Sequence, residues 1–291
     1  MEWKAAGAVL VGALGAIGGM SYYARRIEPS WLEVNEFSLA LPRLDSAFAG
    51  YRIAHISDIH ADTTWMDYAR LQEIVQTVNQ QHPDMVVITG DFLSVYEPPA
   101  LEALKALRFL QARDGVFAVL GNHDHRVGTQ GPAYLRALFT EYGIHDATEM
   151  VFSLERAGQM LHIVGLADLF QQRKVPSVPR TVSYQEKFQA VVRKIPEQGA
   201  AILLVHEPDF ADVAAKAQRF DLQLSGHSHG GQVRLPWLGA LRLPPLGRKY
   251  SCGLYRVGEM WQYTTRGLGM KLPQVRLNCR PEITMITCCV Q

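Results

Sequence analysis

Six short apolar runs, each ending in a cluster of polar residues, limit the fold of this chain more than any other feature of its sequence. From residue 51 onward they read YRIAHISDIH, DMVVITGDF, GVFAVLGNHDH, LHIVGLAD, AAILLVHEPD and LQLSGHSH. Short runs rich in Val, Ile and Leu are typical of strands buried inside a sheet. Apolar residues at helical spacing lie between several of them. The pattern predicts an α/β fold, and the proline- and glycine-broken tail from residue 232 is expected to add antiparallel strands to a second sheet.

The composition and charge of the chain exclude several classes of protein. Its 291 residues are 48% hydrophobic and 20% charged, which is enough apolar material for a large globular core. The 29 basic and 28 acidic residues leave a net charge of +1, so no nucleic-acid partner is indicated. No break in composition divides residues 51–291, which are therefore interpreted as one domain, preceded by a connector over residues 27–50.

A long uncharged segment near the N-terminus predicts a membrane anchor. Residues 5–24 read AAGAVLVGALGAIGGMSYYA, and twenty helical residues span about 30 Å, the thickness of the hydrocarbon core of a bilayer. Residues 1–26 are therefore expected to form a transmembrane anchor; a cleaved signal peptide and a glycine-rich tail are the alternatives. Arg25 and Arg26 follow the apolar run, which favours a cytoplasmic main domain, while an extracytoplasmic one stays open.

Eight polar residues stand at or just after the ends of five of the apolar runs. They are Asp58, His60, Asp91, Asn122, His123, His206, His227 and His229. Because ligands of open α/β sheets bind outside the carboxyl ends of the strands, these side chains are expected to converge on one site. Asp58 and His60 are two residues apart, as are His227 and His229, so an extended backbone would direct both members of each pair to the same side.

Seven of these side chains make a ligand set for two metal ions. One ion would be held by Asp58, His60, Asp91 and His229. The other would be held by Asp91, Asn122, His206 and His227. Asp91 is the predicted bridge because a carboxylate has two oxygens, and paired ions lie about 3.5–4 Å apart. Mixed nitrogen and oxygen ligands favour divalent transition metals such as Mn, Zn or Fe, which lower the pKa of bound water toward neutrality.

The other residues of the polar clusters are candidates for catalysis and substrate binding. His123 is expected to stabilise charge on a reacting phosphate or to protonate the leaving oxygen. Asp124 is expected to orient the His123 ring. Arg126 and Arg266 are candidates for bidentate contacts with phosphate oxygens, and Asp168 is a further candidate near the substrate.

The order of the motifs SDIH, TGDF, GNHD, VHEP and GHSH resembles that of the calcineurin-like metallophosphoesterase superfamily. The resemblance implies two β-sheets packed as a sandwich and flanked by helices, a dimetal centre and hydrolysis of phosphoesters. The stretches LLVHEPD, LQLSGHSHGGQVRLP, GRKYSCGLY, RGLGMKLP and PEITM are similar to the YaeI/YkuE-like bacterial phosphodiesterase branch, in which an apolar N-terminal segment also occurs.

Two related classes of protein can be compared with the sequence. Purple acid phosphatases carry a metal-bound tyrosine three residues after the bridging aspartate, whereas this chain has Ser94 there, so a ferric–tyrosinate centre is not expected. Non-catalytic scaffolds with the same fold typically lack the catalytic histidine or some of the ligands, whereas this chain keeps the whole set. The motifs therefore favour an enzyme that hydrolyses phosphodiesters or pyrophosphates.

Features outside the motifs suggest the substrate. Residues 235–249, LPWLGALRLPPLGRK, form a proline-broken apolar loop just after the last two histidines of the ligand set. This loop either contacts lipid, with its basic residues at the level of the headgroups, or packs on its own sheet. In the first interpretation the substrate is a membrane-proximal or lipid-linked phosphate such as UDP-2,3-diacylglucosamine. A broad-specificity phosphodiesterase that acts on soluble substrates is the alternative.

Overall fold

In the computed structural model, which describes residues 14–169 and 184–291, two six-stranded sheets pack face to face. The strands of the first sheet are β1 (Glu33–Leu41), β2 (Tyr51–Ile56), β3 (Met85–Ile88), β4 (Val116–Ala118), β5 (Ile144–Asp146) and β14 (Glu282–Val290). They lie in the order β1-β14-β2-β3-β4-β5. β14 pairs antiparallel with β2 and parallel with β1, and β2 to β5 are parallel to one another. The carboxyl ends of β2, β3 and β4 therefore meet at one edge of the sheet.

The second sheet contains strands from the middle and the end of the chain. They are β6 (Val151–Arg156), β7 (Gln159–Gly165), β8 (Ala200–Leu204), β9 (Leu222–Ser225), β12 (Gly253–Val257) and β13 (Met260–Thr264), in the order β12-β13-β9-β8-β7-β6. β7, β8, β9 and β13 are parallel, and the two outer strands are antiparallel to their neighbours. A short hairpin of β10 (Arg234–Leu235) and β11 (Gly239–Ala240) stands apart from both sheets.

Side chains that alternate along the strands fill the space between the sheets and the space under the helices. In β2, Ile53 belongs to the core between the two sheets, whereas Ala54 and Ile56 pack under the helices of the first sheet. Residues buried on both faces explain why the strands read as continuous apolar runs. A third apolar cluster covers the outer face of the second sheet. The prediction of an α/β fold with two sheets flanked by helices is confirmed.

Helices cover the outer faces of both sheets. They are α1 (Tyr68–Gln80), α2 (Pro98–Leu104), α3 (Asn122–Arg126), α4 (Gln130–Tyr142), α5 (Tyr184–Val192) and α6 (Ala211–Ala214). The Asp67 carboxylate caps α1 by accepting a hydrogen bond from the backbone N–H of Arg70. Gly143 ends α4 in a left-handed conformation, with φ of +69°, which a residue without a Cβ adopts readily.

The prediction of an N-terminal membrane anchor is wrong for the part of the chain that the structure describes. Residues 1–13 of the predicted segment lie outside the described residues. Of the helices within residues 14–169 and 184–291, none has the length and apolar character needed to cross a bilayer. The helical residues 14–22 lead into a π-helix, Tyr23–Ile27, that packs on the domain: Ala24 is buried, and its carbonyl oxygen accepts a hydrogen bond from the Arg276 N–H. The prediction that the main domain is cytoplasmic depended on this anchor and is therefore not supported either.

The predicted connector over residues 27–50 contains an element of the first sheet. All nine residues of β1 pair with the nine residues of β14, so this segment is bound to the last strand of the chain. The buried carboxylate of Glu28 accepts a hydrogen bond from the backbone N–H of Cys279. The end of the chain therefore holds this segment against the domain.

Candidate metal centre

Five strands from both sheets deliver the predicted site residues to one place. Asp58 and His60 follow β2, Asp91 follows β3, and Asn122 and His123 follow β4 in the first sheet. His206 follows β8, and His227 and His229 follow β9, in the second sheet. Seven of the eight side chains are buried, and His123 is partly exposed. The centre thus lies where the carboxyl edges of the two sheets meet.

Two glycines allow the loops of the two sheets to approach this closely. A Cβ atom at Gly90 would lie 2.6 Å from the backbone nitrogen of Gly121 and 2.9 Å from His206 Nδ1, and its φ of +96° also favours glycine. A Cβ atom at Gly226 would overlap the side chains of Ser57 and Asp58. Larger residues at these positions would push the sheets apart at the site.

The backbone at the centre is not extended, contrary to the geometry predicted for the two residue pairs. Positive φ angles between +49° and +68° occur at Asp58, His60, Asp91, His227 and His229. The left-handed conformation costs a non-glycine residue about 1–2 kcal/mol, and such strain collects at functional sites. Tight turns after the strands, rather than alternation along a strand, therefore direct these side chains inward.

Asp58, His60 and His229 form the first group of side chains that could hold a metal ion. One ligand atom from each lies within 4.8 Å of the others. His229 Nε2 is 3.2 Å from Asp58 Oδ1 and 3.1 Å from His60 Nε2. Two imidazole nitrogens and a carboxylate oxygen that face one another are a donor set for a transition metal.

Asp58, Asp91 and His206 form the second group. Asp91 Oδ2 lies 3.2 Å from His206 Nε2 and 3.4 Å from His60 Nε2. The Asp91 carboxylate thus stands between histidines of the two groups, and the two groups share Asp58. Together the five residues form a candidate dimetal site.

Asn122 and His227 border the second group. The Asn122 side chain is buried, and neither its Oδ1 nor its Nδ2 atom has a hydrogen-bond partner among the described residues. The His227 ring centroid is 5.0 Å from that of His206, and its Nε2–H donates to the carbonyl oxygen of Pro245 at 2.9 Å. Because Nε2 carries the proton, Nδ1 is the ring nitrogen of His227 that has a lone pair for a metal ion.

Hydrogen bonds behind the histidines orient their rings. His206 Nδ1 lies 2.6 Å from the carbonyl oxygen of Thr89, which only accepts, so Nδ1 carries a proton and Nε2 faces Asp91. His60 Nδ1 lies 3.0 Å from Ser94 Oγ. Ser94, which stands where purple acid phosphatases have the metal-bound tyrosine, thus contacts a histidine of the site. Asp91 Oδ2 and His206 Nε2 are buried and make no hydrogen bond within the described part of the chain. Buried oxygen and nitrogen atoms that lack hydrogen-bond partners in this way are suited to bind metal ions.

The protonation states of most of these groups suit metal binding. Burial alone would raise the pKa of Asp58, but His229 holds it below its usual range. Burial lowers the pKa of His229 to about 3. For His206, burial acts to lower the pKa, yet the neighbouring Asp91 carboxylate raises it well above the usual value. A cation held by this pair would take the place of that proton.

His123 lies beside the candidate dimetal site. Its ring centroid is 4.8 Å from that of His60, and its backbone N–H donates to Asp91 Oδ1 at 2.7 Å. Burial lowers the pKa of the imidazole to about 3, so the ring is neutral at neutral pH. The exposed Arg126 donates a hydrogen bond from Nη1 to His123 Nε2 at 3.2 Å, which places this arginine at the mouth of the site.

Asp124 has different partners from those predicted. Its Oδ1 accepts hydrogen bonds from the backbone N–H groups of Phe92 and Leu93, and its Oδ2 accepts one from Gly121. A bond to the His123 ring is not found among the described residues. Burial and the Asp91 carboxylate raise the pKa of Asp124 to about 8, although the N–H donors oppose that rise. Asp124 therefore ties the loop of Asp91 to the loop of Asn122.

Two of the predicted substrate residues are engaged elsewhere. Arg266 donates from Nε to Glu282 Oε2 at 2.6 Å, and its Nη2 lies 3.1 Å from Glu33 Oε2. Asp168 is buried, and after burial itself it is the main cause of a raised pKa at the neighbouring Glu207. The residue types alone, an arginine and a carboxylate, did not distinguish these internal pairs from groups that face a substrate.

Lys271 is a charged residue near the site that the sequence patterns missed. Its Nζ lies 3.9 Å from Asp91 Oδ2, and its charge helps to lower the pKa of His123, His227 and His229. Because Lys271 stands in the loop after β13 rather than behind one of the apolar runs, the positional pattern gave no signal for it.

Comparisons with known proteins agree with this geometry. Residues 51–231 match the family model of the calcineurin-like phosphoesterases. The chain is 34% identical over 288 residues to the uncharacterized metallophosphoesterase YkuE of Bacillus subtilis (strain 168), covering 97% of this chain and 93% of YkuE. It is 30% identical to the phosphodiesterase YaeI of Escherichia coli (strain K12), with 91% of each chain covered. It is 29% identical to the UDP-2,3-diacylglucosamine pyrophosphatase LpxG of Chlamydia muridarum (strain MoPn / Nigg), with 91% of this chain and 92% of LpxG covered. The chain therefore belongs to the calcineurin-like phosphoesterase family and is a metal-dependent phosphoester hydrolase.

Proposed function

We propose that this hydrolase cleaves a phosphodiester or pyrophosphate bond in a lipid-linked substrate such as UDP-2,3-diacylglucosamine. Two divalent transition metal ions, Mn, Zn or Fe, would be held by the seven predicted ligands. In this assignment Asp91 is the bridge, because its Oδ2 faces a histidine of each group. When bound, the ions supply a nucleophile at neutral pH and offset the negative charge of the phosphate.

The side chains beside the ligands complete the proposed reaction. The neutral His123 ring, which accepts from Arg126 at Nε2, carries its proton on Nδ1 and can donate it toward a phosphate or leaving oxygen. Arg126 is exposed beside it and is placed to contact a phosphate oxygen. Asp124 keeps the loops of Asp91 and Asn122 at fixed separation through three backbone hydrogen bonds.

The observation that carries the lipid-linked substrate is the exposed apolar hairpin β10–β11. The hairpin begins five residues after His229, and Trp237 at its turn is fully exposed, with Leu238 74% and Leu241 56% exposed. Leu243 and Leu246, further along the same loop, are partly buried, so the exposed large apolar side chains lie in its first half. Pro245 in the second half accepts a hydrogen bond from His227. An exposed apolar surface joined to a metal-site residue suits the acyl chains of a substrate.

The named relatives support both the proposal and its rival. LpxG is named for a pyrophosphatase that acts on UDP-2,3-diacylglucosamine, a nucleotide linked to a lipid. YaeI is named as a phosphodiesterase without a stated substrate. The rival function is therefore a broad-specificity phosphodiesterase for water-soluble esters, in which the exposed hairpin plays no part.

A comparison of two substrates on one variant separates these functions. The protein loaded with Mn²⁺ would be assayed in detergent micelles with UDP-2,3-diacylglucosamine and with bis-p-nitrophenyl phosphate. In the double variant Trp237→Ser with Leu238→Ser, kcat/KM for the nucleotide-lipid should fall about tenfold or more, because two apolar contacts with acyl chains are lost. Hydrolysis of the soluble ester should be unchanged.

The variant Val213→Ser provides the matched control, since Val213 is an exposed apolar residue on α6. Its activity on both substrates should equal that of the unaltered protein. Unchanged turnover of both substrates in the hairpin variant, or no detectable turnover of the nucleotide-lipid by the unaltered protein, would rule out the lipid-linked assignment in favour of the rival.

A further inference from the structure

We propose that Lys271 binds a phosphate oxygen of the substrate at the metal centre, an inference that rests on phosphoester hydrolysis at this site but not on a lipid-linked substrate. Lys271 Nζ lies 3.9 Å from Asp91 Oδ2, and the lysine side chain is 27% exposed. The ammonium group therefore faces the buried ligands from a position that a substrate can reach.

The backbone of Lys271 is fixed to the segment that carries the last two site histidines. Gln232, three residues after His229, accepts the Lys271 N–H at its Oε1 atom over 2.6 Å. The Nε2 group of the same glutamine lies 3.2 Å from the carbonyl oxygens of Lys271, Pro273 and Val275. One side chain thus holds the whole turn, and the lysine has a defined place relative to the site.

The ammonium group of Lys271 differs from those of the other three lysines that pair with carboxylates in the described part of the chain. The Nζ atoms of Lys105, Lys187 and Lys249 lie 2.6–3.0 Å from carboxylate oxygens, which is hydrogen-bonding distance. The Nζ of Lys271 is farther from its carboxylate and makes no hydrogen bond to any described residue. Its three N–H donors are therefore available to an oxygen that enters the site.

Electrostatics indicate which ligand takes those donors. Two dications bound by the carboxylates would repel a nearby ammonium group unless an anion lies between them. A phosphate group is such an anion, and lysine is a frequent phosphate ligand that acts as a compact point charge. The competing explanation is that Lys271 serves only as a counter-charge for the carboxylates, in which case it would oppose metal binding.

Binding of inorganic phosphate to the Mn²⁺-loaded protein, measured by calorimetry, distinguishes these explanations. Lys271→Met keeps the length of the side chain and removes the charge, and it should raise the Kd for phosphate about tenfold to a hundredfold, the factor for one charge-assisted hydrogen bond. Lys271→Arg should stay within a few-fold of the unaltered protein. Mn²⁺ content per chain should be the same in all three proteins.

Lys249→Met is the control, since Lys249 is an exposed lysine paired with Asp212, and its Kd for phosphate should not change. An unaltered Kd in Lys271→Met, or a variant whose only change is tighter Mn²⁺ binding, would overturn the proposal. So would a loaded, unaltered protein that does not bind phosphate. Because inorganic phosphate carries no lipid, failure of the lipid-linked substrate would leave this measurement unaffected.

Discussion

Asp91 Oδ2 lies 3.2 Å from His206 Nε2, although Asp91 follows a strand of the first sheet and His206 follows a strand of the second. Both atoms are buried, and neither is hydrogen-bonded within the described residues. The contact exists only when the two sheets are packed against each other. Metal binding at this pair should therefore be coupled to the folding of the whole domain.

The variant Asp91→Asn tests the bridging assignment. An amide removes the negative charge that would be shared between the two ions, so occupancy should fall from two Mn²⁺ per chain to one or fewer, as measured by elemental analysis after dialysis. Asp212→Asn, which alters a half-exposed carboxylate paired with Lys249, should keep both ions. If Asp91→Asn still held two ions per chain, Asp91 would not be the bridge.

Much of the fold could be predicted from the sequence because its signals are local. The apolar runs mark the strands, and the spacing of Leu71, Ile74, Val75 and Val78 marks the buried face of α1. Helix α2 ends at Leu104, and the chain continues as a 3₁₀-helix from Lys105 to Phe109. The positions of the site residues after five strands also followed from the runs, because parallel strands bring their carboxyl ends together.

The contacts that the sequence did not reveal depend on the tertiary packing. Arg266 pairs with Glu33 and Glu282, which are distant from it in sequence, so no local pattern could reveal these partners. The role of Asp124 depends on backbone N–H groups from two loops, and its place next to His123 in the sequence predicted a contact with that ring instead. For the N-terminal segment, hydrophobicity alone could not show that Ala24 is buried against the domain.

Loss of the Ser94 hydroxyl should weaken metal binding, although Ser94 is not itself one of the proposed ligands. In Ser94→Ala, His60 Nδ1 loses its partner at 3.0 Å, and the ring is no longer held in one orientation. Such supporting residues typically account for about 10–100-fold in metal affinity. The measurement is the Kd for Mn²⁺ by competition with a chelator. Ser46→Ala, at an exposed serine, should not differ from the unaltered protein, and a normal Kd in Ser94→Ala would argue against this support.

His123→Ala should retain both ions and lose rate. The expected fall in kcat for bis-p-nitrophenyl phosphate is about 10²–10⁴-fold, the usual contribution of a positioned acid or base. Because burial lowers the pKa of His123 to about 3, the ring becomes charged only in strong acid, and it is neutral at any pH well above that value. The ratio of kcat for the unaltered protein to kcat for His123→Ala should therefore stay constant between about pH 6 and 9. An unchanged rate would remove His123 from the mechanism, and a ratio that varied with pH would show that the ring titrates in this range.

Gly226→Ala should separate the two sheets at the metal centre. An added Cβ atom would overlap the side chains of Ser57 and Asp58, while the backbone at Gly226 is in a conformation that alanine can adopt, so the effect is steric. Crowding of this kind in a packed interior typically lowers the free energy of unfolding by about 1–3 kcal/mol. We expect a lower Tm in thermal unfolding and weaker Mn²⁺ binding, because Asp58 is displaced. Gly19→Ala is the control, since a Cβ atom there would meet nothing within 4 Å and, in a helix, should lower neither quantity. A Gly226→Ala protein with normal stability and normal Mn²⁺ affinity would mean that the two sheets need not approach this closely to form the site.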